Sequence, residues 1–99
     1  MHYQAPPLCH RDLKIENILL GQDKKWKICD FGSSTVATFP FVDSSNRYKV
    51  EEEIEKASTP LYRSPEMSDL YSGYPINEKA DLWALGCIMY TLMFFKQPF

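Results

Sequence analysis

His10-Arg11-Asp12-Leu13-Lys14-Ile15-Glu16-Asn17 decides the reading, together with Asp30-Phe31-Gly32, which begins 13 residues after Asn17. Residues 10–17 mix charged and apolar side chains without a clean period, so they read as a loop. C-terminal to them, Ile18-Leu19-Leu20 is a short candidate for a buried strand. Gly21-Gln22-Asp23-Lys24 is a turn signal. Trp26-Lys27-Ile28-Cys29 then alternates apolar and polar residues, as a second strand does. The two predict a small hairpin. N-terminal to the loop, Pro6-Pro7 cannot continue a helix and forces an extended approach. The order is therefore loop, hairpin and, from Asp30, a long irregular segment.

That segment is rich in small hydroxyls. Residues 33–47 hold six Ser/Thr, one Pro and one Asn around a Phe39-Pro40-Phe41 island, and loops of this length are usually functional or mobile. Tyr48 to Ala57 predicts a short helix, with Glu52 and Lys56 four apart. The run Glu51-Glu52-Glu53 reads as its solvated face. Pro60 and Pro65 punctuate the chain, and Pro65 starts a helix through Glu66, Met67 and Leu70 that ends near Gly73. The last element is a helix over 77–95. Asn77 is its N-cap, and Glu78 and Asp81 put negative charge in its first turn. Beyond Asp81 it is apolar all round, which predicts burial all round. A chain of 99 residues has little mass with which to surround such a helix, so it reads as part of something larger.

Composition narrows the function classes. Lys plus Arg number 11 against 13 Asp plus Glu, a net charge of -2. That balance lacks the basic footprint of a nucleic-acid binder and the cationic cluster that holds an anionic membrane. The most apolar run, Leu82 to Phe95, is too short to cross a bilayer. The cysteines Cys9, Cys29 and Cys87 are odd in number and widely spaced, which argues against a disulfide framework or zinc site. They fit small apolar residues in a reducing compartment. The N-terminus has no apolar signal segment. Together these features predict a cytoplasmic protein.

The two strings of the opening stretch resemble the H-R-D-L-x-x-x-N catalytic loop and D-F-G motif of protein kinases. Ser64-Pro65-Glu66 resembles their A-P-E motif, with Ser in place of Ala. Five fixed residues followed by D-F-G at that distance coincide by chance on the order of 10⁻⁷. The resemblance implies a mainly α fold with a short β-hairpin: the part of a kinase C-lobe that holds catalytic loop, activation segment and central helix. It implies transfer of the ATP γ-phosphoryl group to protein Ser or Thr, with ATP and Mg2+ as cofactors. Phosphoryl transfer asks the protein mainly for positioning and charge stabilisation. By resemblance Asp12 is the carboxylate that orients the substrate hydroxyl, and Lys14 neutralises charge on the moving group. A Lys there looks like a serine/threonine enzyme. Asn17 and Asp30 offer the oxygen ligands that a hard metal needs. Leu19 aligns with the residue under the adenine ring, and Cys29 would line the same pocket. Thr59 aligns with the threonine that contacts the catalytic Asp and Lys. Asp81, in a D-x-W-x-x-G string, would hold backbone N–H groups of the catalytic loop. Arg11 is a candidate receiver of an activation-segment phosphate. Ser33, Ser34, Thr35, Thr38, Ser44, Ser45 and Ser58 stand level as acceptors of that phosphate. His2 reads as an ordinary helix-end residue.

The stretch Met67-Ser68-Asp69-Leu70-Tyr71-Ser72-Gly73, followed by Ile76 and then Lys79 to Cys87, is similar to the Numb-associated kinases, the branch of adaptor-associated and cyclin-G-associated kinases. So is Val50-Glu51-Glu52-Glu53-Ile54 ahead of Ser58-Thr59-Pro60. The likeness runs from Pro7 to Phe99. It implies an extra helix fed by Ser64 to Ser72, and substrates among clathrin-adaptor or actin-patch proteins. No Gly-rich phosphate loop and no V-A-I-K lysine occur in the 99 residues. The chain therefore reads as a partial kinase domain, without N-lobe or C-terminal helices. The expectations are that it is inactive alone and that Glu66 lacks its usual arginine. The alternative is a truncated kinase-like binding module or incomplete gene product.

Overall fold

The computed structural model describes residues 1–99. Strand β1 (Ile18–Leu20) pairs antiparallel with β2 (Trp26–Ile28), in the register Ile18↔Ile28, Leu19↔Lys27, Leu20↔Trp26. The hairpin is the one expected, but Ile18–Leu20 is not a buried strand: Leu19 and Leu20 are 53% and 56% exposed. A two-stranded ribbon has no third layer to cover its faces, so its apolar residues stay open. Cys29 lies just past β2.

Three α-helices follow: α1 (Arg47–Ala57), α2 (Pro65–Ser68) and α3 (Lys79–Phe94). Helix α1 starts within one residue of expectation. It buries Val50, Ile54 and Ala57, spaced four and three apart on one face. Glu52 and Lys56 form no ion pair, so burial rather than charge holds this helix. Helix α2 is shorter than expected. At Asp69 the backbone leaves the helix, and the Asp69 carboxylate accepts from the Tyr71 N–H at 3.1 Å. This local bond competes with helix continuation and starts a separate one-turn 3₁₀ segment, Leu70–Ser72. Gly73, at φ +75, ends it in the left-handed region that glycine enters without a Cβ penalty. The Asn77 carboxamide accepts from the Lys79 N–H at 3.0 Å, which makes it the capping side chain of α3.

The core is two small clusters. Val42, Val50, Ile54, Met67 and Ile76 pack between α1, α2 and the segment before α3, with Phe39, Leu70 and Ala80 against them. Leu13, Ala84 and Ile88 hold the 10–17 loop onto α3, with Ile15, Ile18 and Tyr62 beside them. Two single bridges, Cys9↔Thr35 and Phe39↔Ile76, fasten the long irregular segment to this frame. Helix α3 is not buried all round. Asp81, Ala84, Cys87 and Ile88 are inside, while Leu82, Leu85, Met89, Leu92, Met93 and Phe94 are exposed. The radius of gyration is 14.2 Å, above the ~13 Å typical of a compact domain of ~100 residues. No helix is long and apolar enough to cross a membrane.

Candidate active site

The site is built from α3 upward. Asp81 is 3% exposed, and a buried carboxylate is costly unless donors surround it. It has three. Its Oδ2 accepts from the His10 N–H at 2.8 Å and from His2 Nε2 at 3.0 Å, and its Oδ1 accepts from the Arg11 N–H at 3.0 Å. Two successive backbone donors on one carboxylate form an anion nest. Arg11 sits at φ 73, a region that non-glycine residues seldom occupy and that surrounding structure must enforce. The two N–H bonds to Asp81 supply that enforcement. His2 itself lies in an irregular stretch that belongs to no helix, so it is no helix-end residue.

The His10 ring carries the order into the loop. It is fully buried. Its Nε2 donates to the Cys29 carbonyl at 2.9 Å, and its Nδ1 accepts from the Asp12 N–H at 3.2 Å. These partners fix the tautomer with hydrogen on Nε2. The Phe31 ring meets His10 edge-on at 5.1 Å. One imidazole thus links the backbone of Asp12 to the residue before Asp30.

Asp12 and Lys14 of the 10–17 loop converge with Thr59, which lies on a separate segment. The Thr59 hydroxyl donates to Asp12 Oδ1 at 2.7 Å, and Lys14 Nζ donates to Thr59 Oγ1 at 3.3 Å. Lys14 Nζ also lies 3.7 Å from Asp12 Oδ2. Asn17 is buried at the end of a one-turn 3₁₀ segment, Ile15–Asn17, which is the only regular structure within the 10–17 loop. Its Nδ2 donates to the Asp12 carbonyl at 2.8 Å, and its own carbonyl accepts from the Cys29 N–H at 2.7 Å. With the amide nitrogen committed, the amide oxygen is the free end.

Asp30 is exposed at φ 62. Its carboxylate makes one long bond, 3.4 Å, to the Gly32 N–H, which leaves most of its lone pairs open. No cluster of three His, Cys, Asp or Glu side chains is present. Asn17 and Asp30 thus present two oxygen donors. This suits magnesium, which binds through one or two protein oxygens and completes its shell with waters and phosphates. Leu19 lies opposite Lys27 on the open hairpin, and Cys29 is half-buried with Sγ 3.8 Å from the Lys27 carbonyl. Cys9 and Cys87 are inert by environment. Burial, then the negative charges of Asp81 and Glu78, push the Cys9 thiol up to about 11 against the opposing pull of Arg11. Burial raises Cys87 as well.

Residues 1–99 match the protein kinase domain family over their whole length. The chain belongs to that family. It is 50% identical, over 100 residues, to a Dictyostelium discoideum protein named as a probable serine/threonine-protein kinase. It is 46% identical, over 99 residues each, to actin-regulating kinase 1 and actin-regulating kinase PRK1 of Saccharomyces cerevisiae. All of the chain is covered in each case, and it spans 12%, 16% and 12% of these three relatives. A protein kinase domain generally uses ATP and Mg2+, acts on proteins and transfers a phosphoryl group.

Two residues escaped the sequence reading. The run Glu51 to Glu53 is not uniformly a solvated face: Glu53 Oε2 takes Arg11 Nη1 at 3.3 Å. Its signal was helical spacing, since Glu53 follows buried Val50 by three and precedes buried Ala57 by four. His2 had no such signal, because its partner Asp81 is 79 residues away.

Proposed function

We propose that residues 1–99 form the middle of the C-lobe of a serine/threonine protein kinase. The placement rests on the order of parts: loop at 10–17, hairpin, left-handed Asp30, irregular segment, α2 with its Pro65-Glu66 start, and apolar α3. The observation that carries the reading is the Asp12–Thr59–Lys14 triangle. Its hydroxyl, from a segment 45 or more residues away, bonds both the carboxylate and the cation of the 10–17 loop.

In this reading Asp12 accepts the hydrogen bond of the substrate hydroxyl and aims it in line. Thr59 holds Asp12 Oδ1, so Oδ2 is left to meet the hydroxyl. Lys14 supplies positive charge beside that oxygen, where negative charge moves during transfer. Asn17 and Asp30 would hold the magnesium ion, and the Asn17 Nδ2 bond to the Asp12 carbonyl keeps Asn17 and the base in one frame. Leu19 and Cys29 provide the adenine-facing surface. Magnesium-bound ATP would bring the γ-phosphoryl group and the cation charge. Within the protein kinases we place the chain among the Numb-associated branch. Its substrates are then Ser and Thr on clathrin-adaptor or actin-regulating proteins, met in the cytoplasm. Support comes from two relatives named as actin-regulating kinases; the extra helix that the resemblance implies is here only a 3₁₀ turn, Leu70–Ser72.

The natural polypeptide that carries these residues is expected well above 11.5 kDa by intact mass. It should phosphorylate a Thr or Ser peptide, with Asp12→Asn lowering kcat by about 10²–10⁴-fold, the usual worth of a positioned base. Equal activity of wild type and Asp12→Asn would overturn the reading. The 99-residue chain alone, without a Gly-rich phosphate loop, should not exceed its own Asp12→Asn control. Transfer by the isolated chain would refute that part.

A further inference from the structure

Arg11 precedes the proposed catalytic Asp12 and is held at three places. Its N–H donates to Asp81 on α3, its Nε to the Ser33 carbonyl in the turn after Asp30, and its Nη1 to Glu53 Oε2 on α1. The guanidinium is therefore already paired, and with a carboxylate of this chain. On the basis of the kinase reading above, we propose that Glu53 is a positioning residue for Asp12: from α1 it supplies the anionic partner that Arg11 would otherwise take from a phosphate. The irregular segment then docks on the catalytic loop without being phosphorylated.

Four observations support this. Glu53 sits on a helix anchored by Val50, Ile54 and Ala57, so its carboxylate is presented with little loss of freedom on pairing. The Arg11 and Glu53 side chains are 25% and 39% exposed, shielded enough for the pair to feel less screening than a free surface pair does. Arg11 Nη1 meets the Glu53 carboxylate beside a cavity of about 40 Å³, room for a few waters, so a phosphate at that nitrogen would compete with Glu53. Finally, the pair secures the residue whose left-handed backbone aims Asp12. A small misplacement there affects transfer itself, not only stability.

The test uses the natural polypeptide, with peptide phosphorylation as the readout. Phosphatase treatment should leave wild-type kcat within about twofold. Glu53→Gln should lower kcat by at least several-fold, up to about 10²-fold, with KM for ATP nearly unchanged. Glu53→Asp should recover part of the loss. Arg11→Gln with Glu53→Gln should be no worse than either alone, the signature of a coupled pair. Glu52→Gln, one residue away and exposed, should match wild type. Wild-type kcat in Glu53→Gln would overturn the proposal, and so would loss of activity on phosphatase treatment. The phosphatase arm stands even if Glu53→Gln fails to fold. Should wild type not exceed Asp12→Asn, the kinase reading itself is wrong and this inference falls with it. An active wild type with an indifferent Glu53 refutes the inference alone.

Discussion

At the residue scale, the buried carboxylate of Asp81 sets the loop, and its three donors make it sensitive to small changes. Asp81→Asn keeps the size but turns one acceptor into an NH2 group facing N–H donors. Leaving buried polar groups mismatched in this way costs about 3 kcal/mol. The natural polypeptide should show a matching drop in urea midpoint; an unchanged midpoint would mean the two N–H bonds carry no weight. The Cys9 thiol gives a second prediction. Its value rises from 9.0 to about 11, so the folded state holds this proton more tightly than the unfolded state does. Its contribution to stability is thus whole below pH 9 and fades as pH rises from 9 to 11. Cys9→Ala should flatten the loss of stability across that window, measured by denaturant titration at each pH; identical slopes would contradict the shift. The residues of the proposed site, Asp12, Lys14, Asn17, Asp30 and Thr59, were named by their resemblance to kinase motifs, and the fold brings Asp12, Lys14 and Thr59 within reach of one another. Glu53 and His2 were not. Their partners are set by how distant segments dock, and local spacing carries no record of that.

At the element scale, burial decides what propensity leaves open. Helix α1 has no capping bond from Asn46 and no Glu52–Lys56 pair, yet Val50, Ile54 and Ala57 hold it. Ile54→Ala removes most of an apolar side chain from the larger cluster and should cost about 2–5 kcal/mol. Tyr48→Ala, on the exposed side of the same helix, should stay within about 0.5 kcal/mol. Comparing their melting curves tests whether the helix depends on its inner face, and similar losses would deny it. This contrast also explains which elements could be read in advance. The Glu52 and Lys56 spacing of α1, the Asn77 cap and apolar run of α3 and the turn at Gly21–Lys24 are local facts of sequence, so both helices and the hairpin were foreseen. The break at Asp69 depends on one carboxylate reaching the Tyr71 N–H. A pattern of apolar positions does not contain that bond. The exposure of Leu19 and Leu20 was missed for a related reason, since apolar content shows what a strand would bury and not whether a layer exists to bury it.

At the scale of the whole molecule, α3 presents more apolar surface than 99 residues can cover. Leu82, Leu85, Met89, Leu92, Met93 and Phe94 are exposed along one helix, and Phe95 and Phe99 lie exposed beyond it. Monomeric proteins seldom leave contiguous apolar patches beyond a few hundred Å² open to water. Burial of such side chains is worth about 1.5–3 kcal/mol each, so a chain holding only residues 1–99 gains by covering them with another copy. It should therefore self-associate at micromolar concentration, seen as species heavier than 11.5 kDa in sedimentation velocity. Leu85→Lys with Met89→Lys changes two exposed positions four residues apart on one helix face, leaving Ala84 and Ile88 in the core untouched. That variant should shift the distribution towards monomer while keeping its helical circular-dichroism signal. A wild-type chain that stays monodisperse at high concentration and melts cooperatively would mean that the open face of α3 is tolerated, and the argument from uncovered area would fail.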